Sequence, residues 1–161
     1  IRQRLSRSLS AALDAGRLTL VDGRDGLIVR LRDAAFFESA KAEIRDEVMP
    51  DLEAVARTLK DLNNDVRIEG HTDSVPIRSS VYRSNWELSA ARAAAVLAFF
   101  VDTTGLSEER MSVAGYGSQR PLAPNDTLEG RSQNRRVDIV VLEPREMGSA
   151  DRPATGTGSG T

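Results

Sequence analysis

The sequence predicts a single α/β domain (an α+β sandwich), in which a small mixed β-sheet has its helices packed on one face. Short apolar runs that end at glycines or turn residues, typical of strands, alternate with longer segments whose apolar residues recur at helical spacing. Their order along the chain is roughly β, β, α, β, α, β, β. This alternation requires some parallel crossovers and helices that cover the sheet. The length of 161 residues fits one domain.

The first half of the chain contains three strand patterns and two helix patterns. Leucines recur once per turn in residues 1–13, which predicts a helix. Two strands around a turn are predicted within residues 18–32, followed by a loop with a helical turn within 36–48. A helix then begins near Pro50, a residue favoured in the first helical turn, and a strand over residues 66–69 runs into a glycine.

The second half contains one long helix between short strands. Residues 86–103 have helical periodicity, and Ser84 and Glu87 stand before them at the spacing of a capping box. A short strand ending in a glycine loop is predicted within residues 110–117. The apolar run RRVDIVVL, residues 135–142, predicts the last strand.

These elements suggest three segments. Residues 1–20 are expected to be a linker helix or segment, and residues 21–143 the folded domain. Residues 144–161, which are rich in glycine, serine and threonine, are expected to be a disordered tail.

The composition and the motifs argue against several functional classes. A formal net charge of −2 disfavours a nucleic-acid partner, because phosphate binding needs a basic excess or stripe. The absence of cysteine excludes thiol catalysis and cysteine-ligated zinc. The single histidine is too little for a zinc site, and no serine sits in the elbow motif of a hydrolase. The glycine-rich stretch GYGSQRP lacks the pattern of a nucleotide loop. We therefore expect no catalytic residue, no metal site and no cofactor.

An arginine in an apolar row carries the strongest functional signal. Arg92 lies four residues from both Leu88 and Val96 on the predicted long helix, so helical geometry aligns all three. Burying a guanidinium is costly unless it is paired or reaches an opening, which leaves two readings. Arg92 either pairs with an internal carboxylate or reaches solvent along its stem, or else it faces a ligand cleft.

The stretch EGHTDSV, residues 69–75, would supply the other side of such a cleft. Asp73 follows the strand that precedes the long helix, and loops after strand ends commonly line binding sites. We expect Asp73 and Arg92 to face each other across a small gap, where they suit a zwitterion: the acid takes an ammonium and the arginine a carboxylate. His71 is expected to be structural.

Four ordered blocks resemble the OmpA-like peptidoglycan-binding domain, and the resemblance spans about residues 27–142. The blocks are GHTD (70–73), NWELSAARA (85–93), GYGSQRP (115–121) and NRRVDIVV (134–141). Within that family, the APNDT loop and Trp86 are more similar to MotB-type flagellar stator subunits than to Pal or OmpA.

The resemblance implies noncatalytic binding of peptidoglycan through the diaminopimelate of its stem peptide. The family's aspartate and arginine contacts match Asp73 and Arg92. Its neighbouring contacts match Thr72, Asn85, Leu88, Asn134 and Arg135.

The resemblance further implies the periplasmic domain of an inner-membrane protein, which forms a homodimer and anchors a motor stator to the cell wall. A MotA-type channel subunit would be its partner through an N-terminal membrane helix that this sequence does not contain. A Pal-like lipoprotein or a secretion-system component is the alternative.

Overall fold

A computed structural model describes residues 1–144 and shows an open, five-stranded mixed sheet. The strand order is β1-β2-β5-β3-β4, in which β3 and β4 are parallel and the other neighbours antiparallel. This arrangement confirms the predicted small mixed sheet. The predicted disordered tail lies outside the described residues, apart from Pro144. The strands are β1 (Leu18–Asp22), β2 (Gly26–Arg32), β3 (Val66–His71), β4 (Met111–Gly115) and β5 (Arg136–Leu142).

Six α-helices accompany the sheet within residues 1–144, and 3-10 turns span Asp46–Val48 and Glu108–Arg110. None of these helices is both long enough and apolar enough to cross a bilayer. The helices are α1 (Arg2–Ser8), α2 (Ser10–Asp14), α3 (Asp33–Phe36), α4 (Met49–Lys60), α5 (Asn85–Thr104) and α6 (Leu128–Asn134).

The hydrophobic core lies on one face of the sheet. Alternate strand residues, such as Val29, Ile68 and Ile139, are fully buried against Leu52 of α4 and Phe100 of α5. Successive side chains of a strand point to opposite faces, so the residues between them lie on the other face. The predicted packing of helices on one face is therefore confirmed.

The N-terminal segment differs from the expected linker. It forms two short helices that break at Leu9, and Leu5, Leu9 and Ala12 are buried in the same core as the sheet. Leu18 pairs with Leu31, so β1 crosses the predicted boundary at residue 20. The leucine stripe packs onto the domain because it buries apolar surface there.

Strand β3 extends two residues beyond its predicted end. Gly70 and His71 continue the antiparallel ladder with Val137 and Arg136 of β5. The extension places Thr72 and Asp73 at the carboxyl end of the strand, where the chain leaves the sheet.

Helix α5 packs directly on β3 and β4 because each strand has a glycine where the helix crosses it. A Cβ on Gly70 would lie 1.9 Å from the carbonyl oxygen of Ser89, and one on Gly115 would lie 2.5 Å from the nitrogen of Ala90. The helix begins after Ser84, whose hydroxyl accepts the N–H of Glu87 at 3.4 Å. These contacts set how far Arg92 lies from the end of β3.

Candidate functional site

A cavity of about 780 Å³ opens at the carboxyl end of β3. Both Asp73 and Arg92 line it, so the two side chains expected to face a common gap do share one cavity. The remaining walls come from the loop after β3, the first half of α5, α3 with the loop that follows it, and α6 with the residue after it.

The strand order explains why distant residues meet at this cavity. Strand β5 lies between β2 and β3 and runs antiparallel to both, with Arg136 opposite Arg32 and His71. The residue before β5, Arg135, therefore lies between the residues that follow β2 and β3. Its carbonyl accepts the N–H of Asp33 at 3.3 Å, while its side chain reaches Asp73.

Asp73 is buried, and its carboxylate is held from two sides. Arg135 Nη1 donates to Oδ2 at 2.7 Å, and the N–H of Val75 donates to Oδ1 at 3.0 Å. An ionised carboxylate accepts about four hydrogen bonds, so acceptor capacity remains for a ligand.

Arg92 is 4% exposed and is held by three acceptors. Nε donates to the carbonyl of Lys41 at 2.8 Å, Nη2 donates to that of Glu38 at 3.0 Å, and Nη1 pairs with Asp33. The guanidinium carbon also lies 4.9 Å from the centroid of the Phe37 ring. Arg92 therefore pairs with an internal carboxylate and also lines the cavity.

The electrostatic balance of the cavity is positive. Burial, and secondarily the positive charge of Arg135, lower the pKa of Arg92 to about 10, so it stays protonated at neutral pH. The lining residues include two aspartates against five arginines, which favours an anionic group in the ligand. The charged lining residues are Asp33, Asp73, Arg45, Arg78, Arg92, Arg131 and Arg135.

Three other predicted site residues also line the cavity. The side-chain amide of Asn85 donates to the carbonyl of Val75 at 3.0 Å and holds the loop after β3. Thr72 is buried, and its hydroxyl donates to the carbonyl of Asp73 at 2.8 Å. Leu88 is 5% exposed and supplies an apolar surface between the polar groups.

Asn134 lies outside the lining of the cavity. It is fully buried, its Oδ1 accepts the N–H groups of Leu122 and Ala123, and its Nδ2 donates to Ala123 and Asn125. An amide has two donors and two acceptor sites, and these contacts use all of them. Asn134 therefore shapes the loop beside the cavity and the start of β5.

Asp33 is a residue of the site that sequence reasoning missed. It is 7% exposed, lines the cavity and carries the carboxylate that pairs with Arg92. One signal was available, because an acid directly after β2 is a natural partner for a buried arginine. The pairing itself spans 59 residues and needs the tertiary fold.

His71 points away from the cavity lining and belongs to the opposite side of the sheet. Its ring stacks on Tyr116 with 5.2 Å between centroids, and Nε2 lies 3.3 Å from Oε1 of Glu69. Burial raises the pKa of Glu69, but hydrogen bonds from His71 and Arg67 outweigh that effect, so the pKa falls below its usual value.

Glu69, His71 and Asp138 bring possible metal ligands within 4.8 Å of one another. Both carboxylates already accept from arginines: Glu69 from Arg67 at 2.7 Å and Asp138 from Arg30 at 2.9 Å. A divalent cation would have to displace these charges, so the donor set is that of an ion-pair network.

Comparisons with known proteins agree with the family suggested by the motifs. "Motility protein B" of Bacillus subtilis is 39% identical over 120 residues, which are 73% of this chain and 46% of that protein. The chain spans about half the length of the curated relatives it matches.

Among the solved structures that share the fold, two illustrate the similarity. One is the cell wall anchor of the T6SS from Pseudomonas aeruginosa, with a TM-score of 0.79 and 39% identity over 89% of this chain and 100% of that chain. The other is the periplasmic domain of Helicobacter pylori MotB, with a TM-score of 0.72 and 30% identity over 80% of this chain and 84% of that chain. The model of the OmpA family matches residues 36–135, more than half of the sequence, and the chain therefore belongs to the OmpA family.

Proposed function

We propose that this domain binds peptidoglycan noncovalently and holds the diaminopimelate of the stem peptide in the cavity at the end of β3. The observation that carries the proposal is the presence of Asp73 and a preorganised Arg92 in one cavity. The free end of diaminopimelate is an amino acid, whose ammonium and carboxylate match these two groups. No bond is made or broken in this process.

Arg92 suits the carboxylate because its position is set before the ligand arrives. Three of its N–H groups are used by Lys41, Glu38 and Asp33, and a guanidinium has five. Two donors therefore remain on a side chain that lines the cavity and is 4% exposed. A charge-assisted hydrogen bond there contributes about 1.5–3 kcal/mol.

Asp73 suits the ammonium because its carboxylate keeps acceptor capacity beyond its bonds to Arg135 and Val75. Leu88 offers an apolar surface for the methylene chain between the two charged ends. Thr72 and Asn85 hold the loop that presents Asp73 and line the same wall.

Arg135 and Asn134 have different parts in this proposal. Arg135 lines the cavity and orients Asp73, so it acts both on the ligand and on the acid. Asn134 makes its hydrogen bonds within the protein, so it acts through the loop that it shapes.

The biological role that we propose is the anchoring of a flagellar stator to the cell wall. The support is the similarity to MotB proteins in sequence and in fold. In that role the domain lies in the periplasm as part of an inner-membrane protein, forms a homodimer and works with a MotA-type channel subunit. Several copies on one polymer raise retention through avidity.

A second role has a specific observation in its favour. The secretion-system anchor from Pseudomonas aeruginosa is covered over its whole length with a TM-score of 0.79. Anchoring of a type VI secretion system therefore stands beside stator anchoring. Deleting the full-length gene separates the two: loss of swimming supports the stator, and loss of secretion with normal swimming supports the alternative.

Wall binding is tested by co-sedimentation with purified sacculi. We expect the wild type to sediment with the sacculi. Both Asp73→Ala and Arg92→Ala should stay in solution, although their circular dichroism spectra show that they are folded. Arg24→Ala is the matched control, because Arg24 is exposed in the β1–β2 turn. Sedimentation of Arg92→Ala at the wild-type level would reject the site, and release of soluble muropeptides by the wild type would reject the noncatalytic reading.

A further inference from the structure

Arg45 is an arginine of the cavity that has no obvious internal role. It lies on the loop between α3 and α4 and lines the same cavity as Asp73 and Arg92. Its Nε is buried, and within residues 1–144 that atom has no hydrogen-bond partner. A buried donor without an acceptor is unusual in a folded protein and is relieved when an acceptor arrives.

The other arginines deep in the cavity have partners. Arg92 has three acceptors, Arg135 pairs with Asp73, and Nη1 of Arg131 donates to the carbonyl of Asn125 at 2.9 Å. Arg45 differs because its buried Nε has no acceptor within the described residues, although its charge does act on the carboxylate of Glu38. That carboxylate pairs with Lys41 at 2.8 Å, which is the first cause of its lowered pKa, with the charge of Arg45 a lesser one.

The backbone holds Arg45 at the cavity wall. Its N–H donates to the carbonyl of Phe36 at 2.9 Å, and its carbonyl accepts the N–H of Val48 at 3.3 Å. The preceding residue, Ile44, forms a bridge with Phe37. The backbone from which the Arg45 side chain projects is therefore fixed by the fold.

The charge balance calls for a second anionic group in the ligand. The lining residues carry five arginines and two aspartates, whereas the free end of diaminopimelate is zwitterionic and contributes no net charge. The residue before diaminopimelate in the stem peptide is a glutamate linked through its γ-carboxyl, which leaves its α-carboxylate free one residue away.

We propose that Arg45 binds this second carboxylate, and that it makes the domain selective for stem peptides in which the glutamate α-carboxyl is free and not amidated. The inference rests on the proposed binding of the stem peptide in the same cavity. A carboxamide removes the negative charge and the charge-assisted bond, while it leaves the diaminopimelate contacts unchanged.

The test compares two synthetic tripeptides, L-Ala-γ-D-Glu-meso-diaminopimelate and its α-carboxamide, by isothermal titration calorimetry on the whole chain. We expect the wild type to bind the free acid about tenfold tighter than the amide. Arg45→Gln should bind the free acid about tenfold more weakly than the wild type does and the amide equally well. The ratio of its two affinities should therefore fall to about one. Arg24→Gln, at an exposed turn position, should keep the wild-type ratio.

The outcomes separate this inference from the binding site itself. A merely structural role of Arg45 would weaken both peptides equally, and that result overturns the proposal. Equal affinity of the wild type for both peptides, or a tenfold preference kept in Arg45→Gln, overturns it as well and leaves the diaminopimelate site standing. Failure of the wild type to bind either peptide would instead reject the proposed function.

Discussion

Replacing Arg92 by methionine is expected to destabilise the folded domain as well as to remove a ligand contact. The change keeps the length of the apolar stem but removes the group that joins α5 to Asp33 and to the carbonyls of Glu38 and Lys41. The loop between α3 and α4 would then lose its main polar attachment to the long helix.

The magnitude follows from the burial of the pair. The side chains of Arg92 and Asp33 are 4% and 9% exposed, and removing one partner of a buried pair costs about 3–5 kcal/mol. Asp33 lines the cavity, so water can reach its carboxylate once the arginine is gone. We therefore expect a loss of about 3 kcal/mol, the lower end of that range. This lies within the roughly 5–15 kcal/mol stability of a typical domain, so the variant should still fold.

Urea and thermal unfolding, both monitored by circular dichroism, measure this change. Arg92→Met should lower the urea midpoint and reduce Tm by about 6–12 °C. The double variant Asp33→Leu/Arg92→Met should recover at least about 1.5 kcal/mol, because it no longer buries an unpaired charge. Arg24→Met should change the stability by less than about 0.5 kcal/mol. The reasoning would be refuted if Arg92→Met unfolded at the wild-type midpoint. It would also be refuted if the stability lost by the double variant equalled the sum of the losses of the two single variants.

Three further changes test other parts of the fold. Gly70→Ala should cost about 3 kcal/mol and abolish wall binding, because its Cβ would lie 1.9 Å from the backbone oxygen of Ser89; an unchanged thermal midpoint would contradict the close crossing. Ser84→Ala should cost about 1 kcal/mol through loss of the helix cap on Glu87, and this is read from urea midpoints. The lowered pKa of Glu69 contributes stability that is complete above its ordinary value of 4.5 and is lost as pH falls through the lower folded value. Glu69→Gln should therefore lose less stability than the wild type between pH 5 and pH 3. Parallel curves of unfolding free energy against pH for the two proteins would refute that.

Local patterns made much of the site predictable. The capping residue and the apolar row of α5 are adjacent in sequence, so the unusual position of Arg92 was visible without a structure. The glycine after residue 69 put the predicted end of β3 two residues too early, but Asp73 still lies in the loop that follows the strand. The N-terminal segment was read less well, because a leucine stripe does not reveal what it packs against.

The partners of the charged groups were beyond local reasoning. Asp33 and Arg92 are 59 residues apart, and Asp73 and Arg135 are 62 apart. Asn134 was grouped with the ligand contacts, whereas its amide is used within the protein.

The sequence by itself determined the order of the main helices and strands, the family, and the prediction that one acid and one arginine line a common cleft. Only the tertiary structure decided which other charges hold these two in place. The physical reason is the sheet order β2-β5-β3, which brings the start of one strand between the ends of two others. The carbonyl of Arg135 thereby accepts the backbone N–H of Asp33, and its side chain pairs with Asp73. One residue thus links the Asp33–Arg92 pair to the Asp73–Arg135 pair.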